Sequence, residues 1–192
     1  YCDCAAADGY DLCGECGGDD ESCSGCTDPD AFNYNDGCFD WENPDEDIDC
    51  IEDDGSCEYF PSTFDLLTPA NDSTIVFWNE NSYDDITITF SWEESTDQNI
   101  DDVINYNLVV INDENPDNPV IDMTDLFIDQ EFTVPLSFII DTPWEEDAIS
   151  FTWEVTAIDN SDADAGEPLY TACNDIFVFY IEYSLDNDDE II

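Results

Sequence analysis

No lysine, arginine or histidine occurs in this chain of 192 residues, while aspartate and glutamate together number 52. Whatever it folds into, no side-chain salt bridge is available to it, and its formal net charge is −52 at pH 7. A compact protein of this size exposes roughly 9,000 Å², which spaces the carboxylates about 13 Å apart on average. Runs such as Asp45, Glu46, Asp47 and Asp49 lie far closer. Such spacings approach the screening length of about 8 Å in physiological salt, so folding meets self-repulsion that outside cations must relieve. A hard divalent ion taking about six to eight oxygen ligands is the simplest remedy, and calcium is the expected cofactor.

The same imbalance excludes whole classes of function. Nucleic acid and anionic lipid surfaces are met by basic side chains, so neither is expected as a partner. No apolar run is long enough to span a membrane, and membrane insertion is not expected. An enzyme is not expected either. Histidine and lysine, the commonest acid–base and charge-stabilising groups, are missing, and no nucleophile elbow, phosphate loop or metal-hydrolase motif is present. A glycosidase-type carboxylate pair is the one chemistry left open. Disorder, the usual consequence of high charge, is opposed by a 42% hydrophobic and 14% aromatic content.

Cysteine divides the chain. Nine of the ten cysteines lie between Cys2 and Cys57, and the tenth is Cys173. Residues 1–60 hold few aliphatics and several glycines, so they cannot build a core of their own and are expected to form a small, disulfide-rich, loop-dominated module. From Thr63 the texture changes to short β-branched and aromatic runs separated by Asn, Asp and Pro, which predicts strands near 63–68, 74–78, 86–93, 104–112, 119–123, 131–139, 149–158 and 174–183. Ile86, Ile88, Phe90 and Trp92 alternate with Thr87, Thr89 and Ser91, and Phe151, Trp153, Val155 and Ala157 repeat the pattern. In the last run Ile176, Val178 and Tyr180 alternate with Phe177, Phe179 and Ile181. Both faces are apolar, so the strand is expected to be covered on two sides or to lie against another subunit. Seven or eight short strands without helical periodicity predict a mainly β protein whose residues 61–183 form an immunoglobulin-like β-sandwich. Residues 184–192 are expected to be an acidic tail or an inter-subunit segment. The chain opens with Tyr1 rather than methionine and reads as a processed or trimmed mature chain.

Two stretches resemble known families. Residues Gly25 to Tyr59, with Cys26, Thr27, Asp28, Pro29, Ala31, Asn33 and Tyr34 followed by Asp53, Asp54, Gly55, Ser56 and Cys57, are similar to a cysteine-bounded repeat of secreted, multidomain marine bacterial proteins. That repeat has the form GCTDPxAxNY…DDGSC. This chain departs from it by an insertion holding Cys38 and Cys50. Upstream, Cys13, Cys16 and the glycines that follow, then Cys23, are similar to the CGGD stretches that often precede such repeats. In the second region Thr68-Pro69-Ala70-Asn71-Asp72-Ser73, Phe90-Ser91-Trp92, Tyr106-Asn107-Leu108-Val109 and the run from Phe151 to Asp159 resemble fibronectin type III and related bacterial immunoglobulin-like domains. Those domains serve as spacers, adhesins or assembly subunits, so the fold leaves function open.

The repeat resemblance implies a Cys26–Cys57 disulfide, and the insertion implies Cys38–Cys50. Cys2, Cys4, Cys13, Cys16 and Cys23 remain, an odd number, and Cys173 is the expected sixth member, tying the module to the sandwich or one subunit to the next. A rival assignment makes Cys13, Cys16, Cys23 and Cys26 a zinc site. Its two CxxC pairs are only six residues apart, against about 15–20 in zinc ribbons, and no histidine can assist.

Three acidic clusters are candidate calcium sites. Asp28, Asp30, Asn33, Asn35, Asp53 and Asp54 crowd oxygen ligands into one disulfide-closed loop. Asp97, Asn99, Asp101 and Asp102 follow the strand ending at Trp92, and Asp159, Asp162 and Asp164 precede Gly166. The expected role is an extracellular or cell-surface structural subunit that self-associates into a homopolymer, a filament or surface layer held by disulfides and calcium. With no Lys or Arg it also lacks every trypsin site. The alternative is an adhesive or carbohydrate-binding module, with Trp78 or Trp144 stacking on a glycan ligand.

Overall fold

The computed structural model describes residues 23–35, 38–40, 43–47, 49–78, 84–100, 102–127, 129–140, 148–159 and 169–184. The chain divides into two compact units, Tyr1–Phe60 and Pro61–Ile192.

In the first unit β1 (Ser24–Gly25), β2 (Phe39–Asp40), β3 (Asn43–Asp47) and β4 (Glu52–Asp53) are short. β1 pairs with β4 in parallel, and β2 pairs with β3 antiparallel. Among the described residues so little ladder cannot hold a fold, and covalent bonds do. Cys26–Cys57 closes the loop and Cys38–Cys50 lies nested inside it. Cys23 and Cys26 are both disulfide-bonded, which removes two of the four thiolates that the zinc assignment required. Cys2, Cys4, Cys13 and Cys16 lie outside the described residues.

The motif residues of this unit hold one another. Asn33 donates from Nδ2 to the Ser56 carbonyl and accepts the Glu58 N–H on Oδ1. Asp53 accepts the N–H of Gly55, which is left-handed at φ +80°, and Asp54 accepts the N–H of Ser56. A Cβ at Gly55 would be strained at that φ. Asn35, itself at φ 60°, accepts the Cys50 N–H and donates to Asp49.

The second unit is an immunoglobulin-like sandwich of two sheets. It runs through β5 (Leu66–Thr68), β6 (Ser73–Trp78), β7 (Thr87–Trp92), β8 (Ile104–Asn112), β9 (Ile121–Phe127), β10 (Glu131–Pro135), β11 (Ile149–Asp159), β12 (Tyr170–Ala172) and β13 (Phe177–Ser184). One sheet has the order β10-β7-β5. The other has the order β6-β13-β11-β8-β9, with β12 also beside β11. Alternation decides what each strand buries. Ile88, Phe90 and Trp92 point inward, with Leu108, Val110, Phe151, Trp153, Val155, Phe179 and Ile181 facing them. Phe90 meets Trp153 and Phe179 edge-on, at ring separations of 5.3 and 5.8 Å. Aromatic rings of this size dominate core energetics. On the outer face of the smaller sheet hydroxyls pair across strands, Thr89 with Thr133 and Thr68 with Ser91.

Three departures from expectation have physical causes. The strand expected over 131–139 stops at Pro135, which has no N–H to continue a ladder; Leu136–Phe138 form a 3₁₀ turn that plugs the fully buried Leu136 into the core. β12 was not expected, being only three residues. It shares a flank of β11 with β13, and between them Asn174 turns aside to donate its N–H to the Phe64 carbonyl. Finally, β13, expected to be covered on two sides or to lie against another subunit, is fully covered on its inner face only. It lies between β6 and β11, with Phe179 and Ile181 in the core, Val178 and Tyr180 half-buried on the outer face, and Ile176, just before the strand, 57% exposed.

Candidate metal centre

β11 buries Phe151, Trp153, Val155 and Ala157 on its inward face, and the next residue in that phase is an aspartate. Asp159 is 0% exposed. Its place is set by register. Across the sheet it stands opposite Ile104, the first residue of β8, and the loop that enters β8 carries Asp97 and Asp102. One carboxylate oxygen from each of Asp97, Asp102 and Asp159 comes within 4.8 Å of the others. Two of the expected clusters are thus halves of one group, joined by strand pairing rather than by sequence.

The loop is held firmly enough to aim its side chains. Ser95 is buried; its N–H donates to the Tyr106 hydroxyl at 2.8 Å and its Oγ to the Ser62 carbonyl at 2.6 Å. Ser62 and Thr96 exchange backbone and hydroxyl hydrogen bonds. Asp97 Oδ1 accepts the Asn99 N–H, and the Asp102 N–H donates to the Asn99 carbonyl. Asp159 is fixed in turn, its Oδ1 accepting the Leu169 N–H at 2.9 Å. The Oδ2 atoms of all three aspartates are shielded from water, and that of Asp97 accepts no hydrogen bond among the described residues. Burial and the apolar wall around Tyr106 push its phenol pKa up. A cavity of about 460 Å³ opens beside the loop, lined by Glu94, Asp97, Asn99, Asp102, Tyr106 and Gln130 among others.

The donor set fits calcium. Calcium–oxygen distances of about 2.4 Å place ligands on a sphere roughly 4.8 Å across, and the three oxygens lie close enough together to share such a sphere. All three are hard carboxylate donors, and the absence of any histidine from the chain, with no cysteine in the group, disfavours zinc or copper. No lysine or arginine exists to neutralise the cluster from within.

The other candidates fare differently. Asp28, Asp30, Asp53 and Asp54 do not gather three carboxylates within one ligand sphere. Asp28, Asp53 and Asp54, with Asn33 and Asn35, spend oxygens on N–H and O–H groups of the module itself. Asp28 accepts from the Asp30 N–H and from the Tyr59 hydroxyl, which holds its carboxyl below the ordinary range and pushes the Tyr59 phenol up to about 12. Hydrogen bonds from Ser56 lower Asp54 likewise. Asp101, Asp162 and Asp164 lie outside the described residues, as does Trp144, and only the backbone of Trp78 is described. Cys173 was expected in a disulfide; within the chain it is a free thiol, half-buried, donating to the Asp175 carbonyl.

No protein-family model and no curated protein matches the chain. Among the described residues no helix is long and apolar enough to cross a membrane.

Proposed function

We propose that this chain is a structural subunit of an extracellular, self-associating assembly, its sandwich clamped by a calcium ion held by Asp97, Asp102 and Asp159. The convergence of those three carboxylates carries the proposal. The ion would tie the loop entering β8 to the end of β11 and cancel charge that nothing else in the chain can cancel. Asp159 is fully buried, which suits an ion that braces rather than a substrate that enters and leaves. Two disulfides in the first unit fit an oxidising, extracellular setting.

Calorimetry of the full chain in calcium and in chelator tests the clamp. Calcium at about a hundred times its dissociation constant stabilises by about 2.7 kcal/mol, which raises the melting temperature of a unit this size by roughly 5–10 °C. Equal melting temperatures in calcium and in chelator would sink the clamp.

A further inference from the structure

Among the described residues the two sheets of the sandwich end on four edge strands, β5 and β10 in one and β6 and β9 in the other. Open edges invite pairing with another chain, and proteins guard them with charge, proline or brevity. Three edges are guarded. β9 carries Asp122 and Asp125, β10 carries Glu131 and Pro135, and β5 is three residues long with Pro69 directly after it. β6 reads Ser-Thr-Ile-Val-Phe-Trp, six residues of high β-propensity with neither charge nor proline. Among the described residues it pairs on one side only, in parallel with β13. Thr74 and Val76 stand exposed along it, Val76 at 46%.

We propose that β6 is the surface at which two copies of this chain pair, edge to edge and antiparallel about a two-fold axis, extending the larger sheet across both. Charge selects the edge. Every copy is acidic with no basic side chain, so a self-contact must avoid setting carboxylates against each other. Self-pairing through β9 or β10 would draw the carboxylates of both copies, Asp122 or Glu131, into one short ladder. Through β6 the exposed Thr74 and Val76 meet, and the strand carries no carboxylate. The inference rests on the reading of the chain as a self-associating subunit and names the contact that such an assembly would use.

The test is sedimentation equilibrium of the full chain in calcium, comparing wild type with Thr74→Asp, Val76→Asp and a control, Leu67→Asp. Leu67 is exposed to 47%, as much as Val76, but lies on β5. The expected result is a wild-type dimer, association weakened on the order of tenfold or more in both β6 variants, and no change in the control. Hydrogen exchange of wild type supplies a readout free of folding defects: amides of 73–78 gain protection as concentration rises. Association that survives both β6 variants, with no such protection, overturns β6 as the contact and leaves self-assembly standing. A chain that stays monomeric throughout overturns both.

Discussion

Asp159 and Leu169 are joined twice: the Asp159 N–H donates to the Leu169 carbonyl at 3.2 Å, and the Leu169 N–H donates to Asp159 Oδ1 at 2.9 Å. The carboxylate is thereby a structural acceptor as well as a candidate ligand, and two substitutions separate the roles. Asp159→Asn keeps an acceptor for Leu169 but removes the charge. Its calcium-free melting temperature should equal or exceed that of wild type while the calcium-induced rise disappears. Asp159→Ala strands a buried N–H and should lose about 1–3 kcal/mol with or without calcium. Thermal melts of both variants in calcium and in chelator check this; a full calcium response in Asp159→Asn would remove Asp159 from the site.

Cys26–Cys57 closes 31 residues and Cys38–Cys50 closes 12. Loops of these sizes stabilise by about 3 kcal/mol each in the chain-entropy account, and among the described residues of the first unit little other structure resists their loss. Replacing Cys26 and Cys57 together by serine should abolish hydrogen-exchange protection across residues 23–35 and 49–60 while that of the β11 amides persists. Unchanged protection in the first unit would mean that hydrogen bonds alone hold it.

The Cys173 thiol is pushed up by burial. Since the thiolate is the reactive form, alkylation of Cys173 in the native protein at neutral pH should be several-fold slower than in denaturant, and should quicken as pH rises past the ordinary thiol range. Peptide mapping after labelling reads this directly. Recovery of Cys173 in a disulfide-linked peptide from the assembled protein would instead restore the expected bridge between subunits.

Tyr59 donates to Asp28 Oδ2 at 2.7 Å, and the two shifts fix the sign of its pH dependence. Folding raises Tyr59 from 10.0 to about 12, so its contribution is complete below pH 10 and is lost as pH climbs through about 12. Folding lowers Asp28 from 3.8, so that contribution is present above pH 3.8 and is lost as pH falls through the lower folded value. An alkaline absorbance titration should show a late-ionising tyrosine that Tyr59→Phe removes. Superimposable high-pH limbs in the two proteins would deny the pairing.

Much of the sandwich was legible because period-two alternation leaves a plain mark: Phe151, Trp153, Val155 and Ala157 are all fully buried. Where the pattern misled, apolarity outran hydrogen bonding. Phe138, Ile139 and Ile140 extend an apolar run, but Pro135 had already ended the ladder. The candidate site was half legible. Its acidic loops were visible, yet Asp97 and Asp159 are 62 residues apart in sequence, and only the pairing of Asp159 with Ile104 shows that they meet. A signal did exist, since Asp159 stands in the inward phase of an alternating apolar strand, where a charge needs a reason to be. The first cluster is ambiguous in sequence for the opposite reason. Asp, Asn and Gly crowd together in tight turns as readily as in cation cages, and here they cap one another's backbone.

Tyr106 joins the core to the candidate site. Its ring packs against Phe64 and Trp92 at 5.7 and 5.5 Å, while its hydroxyl accepts the N–H of buried Ser95 and bonds Gln130. Tyr106→Phe keeps the ring and deletes only the acceptor, so the core survives and the Ser95 N–H is stranded, a cost of about 1–3 kcal/mol. Because Ser95 lies two residues before Asp97, the loss falls on the loop that aims the site. Calcium affinity should drop several-fold in calorimetric titration, on top of the lowered melting temperature. A role confined to packing would lower stability and leave affinity where it was, so the ratio of the two effects decides whether this phenol positions the carboxylates.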